Sequence, residues 1–168
     1  MNFLDLAKKR YSAIEYENKS IEKEQLEEIL EAGMLAPTAC NFQPQRIRVI
    51  ESDEDKQKLA KVIAGNSVYG AALLVCYDSE ECWTRSYDGK PSGEIDASIV
   101  TTHMMLEAAD LGLGSIWVMH WDPQKMSEAF ALSEKIVPVS LLILGHIKEG
   151  SKIHKEHFER KDISEVIL

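Results

Sequence analysis

The sequence predicts one domain in which helices pack on a sheet, and three features predict it. First, Glu94 to Leu111 (EIDASIVTTHMMLEAADL) reads as a helix whose circumference is almost wholly apolar. Such a helix must be buried, with a sheet on one side and other helices or a second subunit on another. Second, the runs Arg46 to Ile50, Ala71 to Tyr77, Ser115 to Met119 and Val137 to Leu144 have strand length, each of them following a helical segment. Third, 168 residues suffice for one proper core, so a single domain over 1–168 is expected.

Composition narrows the function classes. The chain carries 28 acidic against 19 basic side chains, a net charge of -9, which argues against a nucleic-acid partner because phosphate backbones need a basic footprint. The longest apolar runs are far too short to span a bilayer, so no membrane partner is expected. Met1 to Tyr11 carries Asp5 and Lys8-Lys9-Arg10 without the apolar stretch of a secretion signal, which makes the cytoplasm the expected location. Cys40, Cys76 and Cys82 are an odd number without framework spacing and read as reduced thiols.

Taken in order, Phe3, Leu6 and Ala7 give a short first helix ending in Lys8-Lys9-Arg10. Basic residues in a last turn complement the helix dipole, yet Arg10 and Ser12 can also converge on a phosphate, the one as a planar fork and the other as a compact donor. Leu26, Ile29, Leu30 and Gly33, opposite Glu24, Glu27, Glu28 and Glu31, form an amphipathic helix that stops at Pro37. The loop Ala36-Pro37-Thr38-Ala39-Cys40-Asn41-Phe42-Gln43-Pro44-Gln45 then holds Thr38, Asn41 and Gln43 between two prolines. It can be a simple turn or a rigid edge for reading a planar heterocycle, and both readings stand.

Ser52 or Asp53 caps a charged helix over Glu54 to Val62 that ends at Ala64-Gly65-Asn66. Asp78 to Ser92 is the longest loop, with Trp83 as a pocket cover or a gap filler. On the long helix, Asp96, His103, Glu107 and Asp110 fall on one polar stripe at about 100° per residue. Gly112 and Gly114 close that helix and open a strand, so they are a C-cap and not a dinucleotide fingerprint. Asp122-Pro123 starts a short helix through Phe130, leaving His120 and Trp121 at a crevice position. Pro138 suits the start of the last strand. From about residue 149 the chain is polar and basic but closes on Ile163, Val166, Ile167 and Leu168, which predicts a tail docked on the body or on a neighbour. His154 and His157 lack the ligand spacing of a metal site and read as solvent-facing.

Together these pieces resemble the FMN-dependent nitroreductases. The resemblance is carried by Arg10-Tyr11-Ser12, the Ala36-Pro37-Thr38-Ala39-x-Asn41-x-Gln43-Pro44 loop, Ala64-Gly65-Asn66, the long helix with its Gly-Leu-Gly exit, and the late Arg160. It implies an α+β fold: a mostly antiparallel central sheet flanked by helices, in an intertwined homodimer with one FMN at each of two interfacial sites. Arg10, Tyr11, Ser12 and Arg160 would hold the phosphate and ribityl end, and Asn66 would reach the ring or the ribityl hydroxyls. Pro37, Thr38, Ala39 and Asn41 would pack on the flavin from the partner chain, with Gln43 nearby, and Met119 and His120 would line the ring near its reactive edge.

The implied activity is a ping-pong oxidoreduction in which NAD(P)H reduces flavin N5 and a nitroaromatic, quinone or similar small acceptor then takes the electrons. The chemistry is the cofactor's, so no side chain is nominated as catalytic and no metal is expected. The chain departs from the family pattern at Ile14, where a basic residue is usual, at Gln45, where an aromatic is common, and in its short length, which suggests a trimmed lid. A competing reading is an FMN-binding dimeric module, a carrier or sensor, without efficient turnover. A cysteine-dependent redox protein lacks support, because no Cys-x-x-Cys is present.

Overall fold

The computed structural model describes residues 2–63 and 70–168, arranged about a four-stranded sheet in the order β1-β2-β4-β3 with every pair antiparallel. The strands are β1 (Gln45–Ile50), β2 (Ala71–Asp78), β3 (Gly114–Val118) and β4 (Ile136–Gly145). Five helices flank them among the described residues: α1 (Phe3–Lys9), α2 (Lys23–Met34), α3 (Asp53–Ala60), α4 (Gly93–Asp110) and α5 (Pro123–Ala129). The fold class is α+β, as the resemblance implied.

The apolar runs of β2 and β4 follow from their central place. Leu73, Val75, Leu142 and Leu144 face one core with Leu26 and Ile29 of α2 and Ala97, Val100, Met104 and Ala108 of α4. Ala72, Leu74, Cys76, Leu141 and Ile143 face a second core with Leu59 of α3, Met126 of α5 and Phe130. Because both faces are covered, alternation is lost and β2 is buried at every position. A sheet one layer deep thereby closes two cores.

Local chemistry sets the helix ends. Ser52 accepts the Asp55 amide, and Asp122 accepts those of Gln124 and Lys125 with Pro123 just inside the helix. Gly112 lies at φ +80° and closes α4 in a Schellman arrangement, its N–H donating to Ala109 and that of Leu113 to Ala108. α2 lies close to α4 because Gly33 has no side chain: a Cβ there would stand 2.8 Å from Met104 Cγ.

Several expectations need correction. Pro138 is inside β4 and not at its start; the register shifts between Val75 and Cys76, which face Ser140 and Pro138, and this bulge accommodates the missing N–H. Asp96, one of the four residues on the polar stripe of α4, is buried at 1 % exposure. His157 is half-buried against α1 and not solvent-facing. The tail's Ile163, Val166, Ile167 and Leu168 are exposed in the single chain, as a surface reserved for a neighbour would be. No described helix is long and apolar enough to cross a membrane.

Candidate functional site

Residues Arg10 to Glu17 are fixed to the open edge of the sheet. Ser12 bridges Ser115 of β3, the Ala13 amide donates to the Ser115 carbonyl at 3.0 Å, and Glu17 N–H reaches His146 O at 2.9 Å. The buried Tyr16 hydroxyl donates back to Ala13 O at 2.7 Å, and burial raises its pKa well above the usual phenol range. Arg10 caps α1, where Asn2 caps the opposite end. The segment therefore leaves Arg10, Tyr11 and Ser12 in set positions.

The tail returns to the same place. A 3₁₀ turn at Lys155–Phe158 puts His157 Nε2 3.3 Å from Lys8 O and its ring edge-on to Tyr11, with centroids 6.1 Å apart. The Arg160 guanidinium donates to the carbonyls of His157 and Glu159. Arg10, Tyr11, Ser12, His154, His157 and Arg160 line a cavity of about 340 Å³. Arg10 is half-buried, and desolvation, then the charge of Arg160, push its pKa below the ordinary value. Among the described residues neither guanidinium has a carboxylate at ion-pair distance, and Glu156 at the rim pairs with His154 and Lys155. Two like charges held together without a counter-ion fit an anion. A smaller cavity of about 110 Å³ adjoins it between Lys9, Arg10 and Gly112 to Ser115. Ile14 is 59 % exposed and lines neither, so the tail's Arg160 supplies the second cation.

A second group is the proline loop. A 3₁₀ turn at Ala39–Asn41 follows α2, with Asn41 N–H donating to Thr38 O and Phe42 N–H to Ala39 O. Cys40, Asn41 and Gln43 lie at φ +50°, +56° and +52°, a left-handed conformation that side chains other than glycine rarely adopt. Thr38 Oγ1 accepts the Gln43 amide at 3.0 Å, the Gln43 side chain donates to Asn41 O, and buried Pro44 presents its carbonyl to Asp78 N–H at 2.8 Å. Asp96 Oδ1 accepts Ala39 N–H at 2.9 Å, which the sequence reading missed. Only Ser92, four residues before Asp96 at a helix start, was a local signal, and a weak one. Pro37, Cys40, Asn41, Phe42 and Gln43 face solvent, while Thr38 and Ala39 are half-buried.

Met119 and His120 form a third group at the end of β3. Both are exposed and line a cavity of about 340 Å³ with Val62, Trp121 and Asp122. Trp121 Nε1 donates to Val118 O, and Trp121 bridges Ile63, which holds this crossing against the end of α3. Asn66 lies outside the described residues. Arg10, Tyr11, Ser12 and Arg160 are thus gathered in one chain, whereas Met119 with His120 and the proline loop occupy separate surfaces. Cys76 is shut in the sheet, and burial pushes its thiol up to about 12, so it is no redox nucleophile at neutral pH.

This arrangement can be set beside known proteins. A sequence profile described as the nitroreductase family matches residues 7–72 and 62–146. The chain belongs to that family. A nitroreductase family protein from Clostridium difficile 630, known from a crystal structure, is 41 % identical; the alignment covers 100 % of this chain and 98 % of that one, with a TM-score of 0.93. A relative from Methanothermobacter thermautotrophicus, provisionally named an NADH dehydrogenase/NAD(P)H nitroreductase, is 29 % identical over 162 residues, 89 % of this chain and 80 % of that one. A provisionally assigned nitroreductase from Exiguobacterium sibiricum, crystallised in complex with FMN, shares the fold at a TM-score of 0.85, covering 100 % of this chain and 97 % of that one at 24 % identity. In this nitroreductase, then, the edge-bound Arg10-Tyr11-Ser12 segment and the returning tail build one cavity that gathers two guanidinium groups.

Proposed function

We propose that this nitroreductase is an FMN-dependent oxidoreductase that takes electrons from NAD(P)H and passes them, in a ping-pong cycle, to a nitroaromatic, quinone or similar small acceptor. The observation that carries the reading is the Arg10 and Arg160 pair beside Ser12, a cation pair with no carboxylate partner among the described residues, in a cavity of about 340 Å³. A phosphate monoester fits that donor set: two guanidinium forks and a hydroxyl match its oxygens, and its charge relieves the repulsion between the arginines. The net charge of -9 makes such a local basic site more selective for its ligand. The relatives' names and the FMN complex of a fold neighbour point the same way.

Arg10, Ser12 and Arg160 would bind the phosphate, and Tyr11, steadied by the His157 ring, would flank the ribityl chain. Pro37, Thr38, Ala39, Asn41 and Gln43 would present their loop to the flavin of a partner subunit, and Met119 and His120 would border its reactive edge. Asn66 would contact the ring or ribityl hydroxyls. When bound, the flavin supplies the centre that accepts a hydride and later gives up electrons, so the protein needs no acid, base or metal of its own. A homodimer follows from the same reading, supported by the exposed Phe3, Leu4, Leu35, Phe42 and Ile95 and the apolar tail.

The visible absorbance spectrum before and after anaerobic addition of NADH or NADPH tests this. A flavin spectrum that bleaches is the expected result. A colourless protein that fails to bind added FMN would reject the flavoenzyme, and a flavin that neither nucleotide reduces would leave a carrier or sensor.

A further inference from the structure

Asp96 is a buried carboxylate at the start of α4, 1 % exposed, with no cation at ion-pair distance among the described residues. Its Oδ1 accepts the Ala39 amide at 2.9 Å, and its Oδ2 accepts the Ser92 hydroxyl at 2.6 Å. An ionised side chain removed from water is costly unless its oxygens are occupied, so its partners report what it is there to hold. The first is the backbone of the proline loop, 57 positions away in sequence. The second ends a small hairpin in which Thr84 bridges Pro91 and Ser92 N–H donates to Trp83 O at 2.8 Å. One carboxylate thus ties two loops to the long helix, and the first turn of α4 favours a negative charge there.

The proline loop needs such a tie. Cys40, Asn41 and Gln43 are all in the left-handed region, and non-glycine residues persist there only where the surroundings over-determine them. Pro37 and Pro44 fix the ends, and Thr38 closes the interior through the Gln43 amide. Those constraints are all local to the loop or to its exit into β1. Among the described residues, Asp96 is the side chain whose hydrogen bond fastens the loop to the helical layer. The residues that result, Cys40 to Gln43, face outward with their conformations already set, so less order must be imposed when a ligand meets them.

We infer that Asp96 is a positioning residue: it holds the 38–43 loop in the conformation in which that loop meets the flavin of the other subunit. The consequence for flavin affinity rests on the proposed function, whereas the anchoring itself does not. Three variants separate these. D96A removes both acceptors; D96N keeps an oxygen for Ala39 N–H and can donate to Ser92 Oγ instead; S92A removes only the hydroxyl partner. Backbone amide hydrogen exchange, read on the protein as purified, should be faster by about tenfold or more over residues 38–43 in D96A, with β2 and β4 unchanged. FMN dissociation constants should rise by about tenfold in D96A, stay within about twofold of wild type in D96N, and fall between the two in S92A. If D96A does not fold, D96N and S92A carry the comparison through the same two readouts. Wild-type exchange at 38–43 in D96A, or equal losses of affinity in D96A and D96N, would overturn the inference. A wild-type protein that binds no FMN would reject the flavoenzyme reading alone, since exchange at 38–43 still decides whether Asp96 is the anchor.

Discussion

Arg10 and Arg160 are the side chains on which the phosphate reading most depends, and they make it quantitative. Replacing Arg10 by alanine removes a half-buried fork from the cavity and should weaken FMN binding about tenfold to a hundredfold, the range for one charge-assisted hydrogen-bonded contact. Riboflavin has the same ring and ribityl chain but no phosphate, so its affinity should change by about threefold or less. Fluorescence quenching titrations with both ligands measure the difference; equal losses for the two would mean that Arg10 shapes the cavity and does not meet the phosphate. Arg160→Ala should behave alike with a smaller loss, since Arg160 is more exposed and partly engaged by the carbonyls of His157 and Glu159. Arg10 and Ser12 could be nominated from sequence because they are two positions apart at a helix end. Asp96 could not, because its partner Ala39 is brought to it only by the packing of α2 on α4. A charged residue on an otherwise apolar helix reads as solvated until the loop that covers it is known.

The elements themselves were legible wherever their signal is local. The caps at Ser52 and Asp122, the glycine exit of α4 and the four strands each depend on a few neighbouring residues, and all are present. The bulge opposite Pro138 was not legible, because it is a property of two strands and not of one. The junction of β2 and α4 is another such pairwise feature. Gly93 opens α4 directly over the Tyr77 ring, so that an added Cβ would stand 2.1 Å from Tyr77 Cδ2. The helix cannot draw back, since Ser92 and Asp96 fasten its first turn to the loops on either side. Gly93→Ala should therefore cost about 1–3 kcal/mol of stability, the usual range for forcing volume into a packed site. Urea unfolding measures it, with Gly150→Ala as control: Gly150 lies at φ +76° with open space about it, so only backbone strain, about 1 kcal/mol, is expected there. A loss at Gly93 no larger than that control would mean that Tyr77 turns aside.

At the scale of the whole molecule, the single chain ends in a cluster of exposed apolar side chains, which the proposed dimer would cover. Ile163 and Ile167 are 72 % and 66 % exposed, and Val166 and Leu168 beside them are exposed as well. The backbone there is nonetheless ordered by its own chemistry, for Asp162 and Glu165 form a capping box around Ser164. A short preformed turn with an apolar surface, hanging from a basic segment, is shaped to settle on another body. Ile95 and Ile99 line an open groove on α4 with Glu94, Ser98 and Thr102, and under the proposed dimer this groove would be a surface for the partner's tail. Under the proposed dimer the full chain should sediment at twice 18.9 kDa. Removing residues 162–168 should leave the circular dichroism spectrum unchanged, because no core residue is lost, while raising the dimer dissociation constant about tenfold or more, a modest return on burying several aliphatic side chains. Sedimentation equilibrium of the two chains decides it. A truncated chain that dimerises as tightly as the full one would place residues 162–168 outside the interface, leaving the earlier part of the tail, which brings His157 and Arg160 to the cavity beside Arg10, as the part that matters to the site.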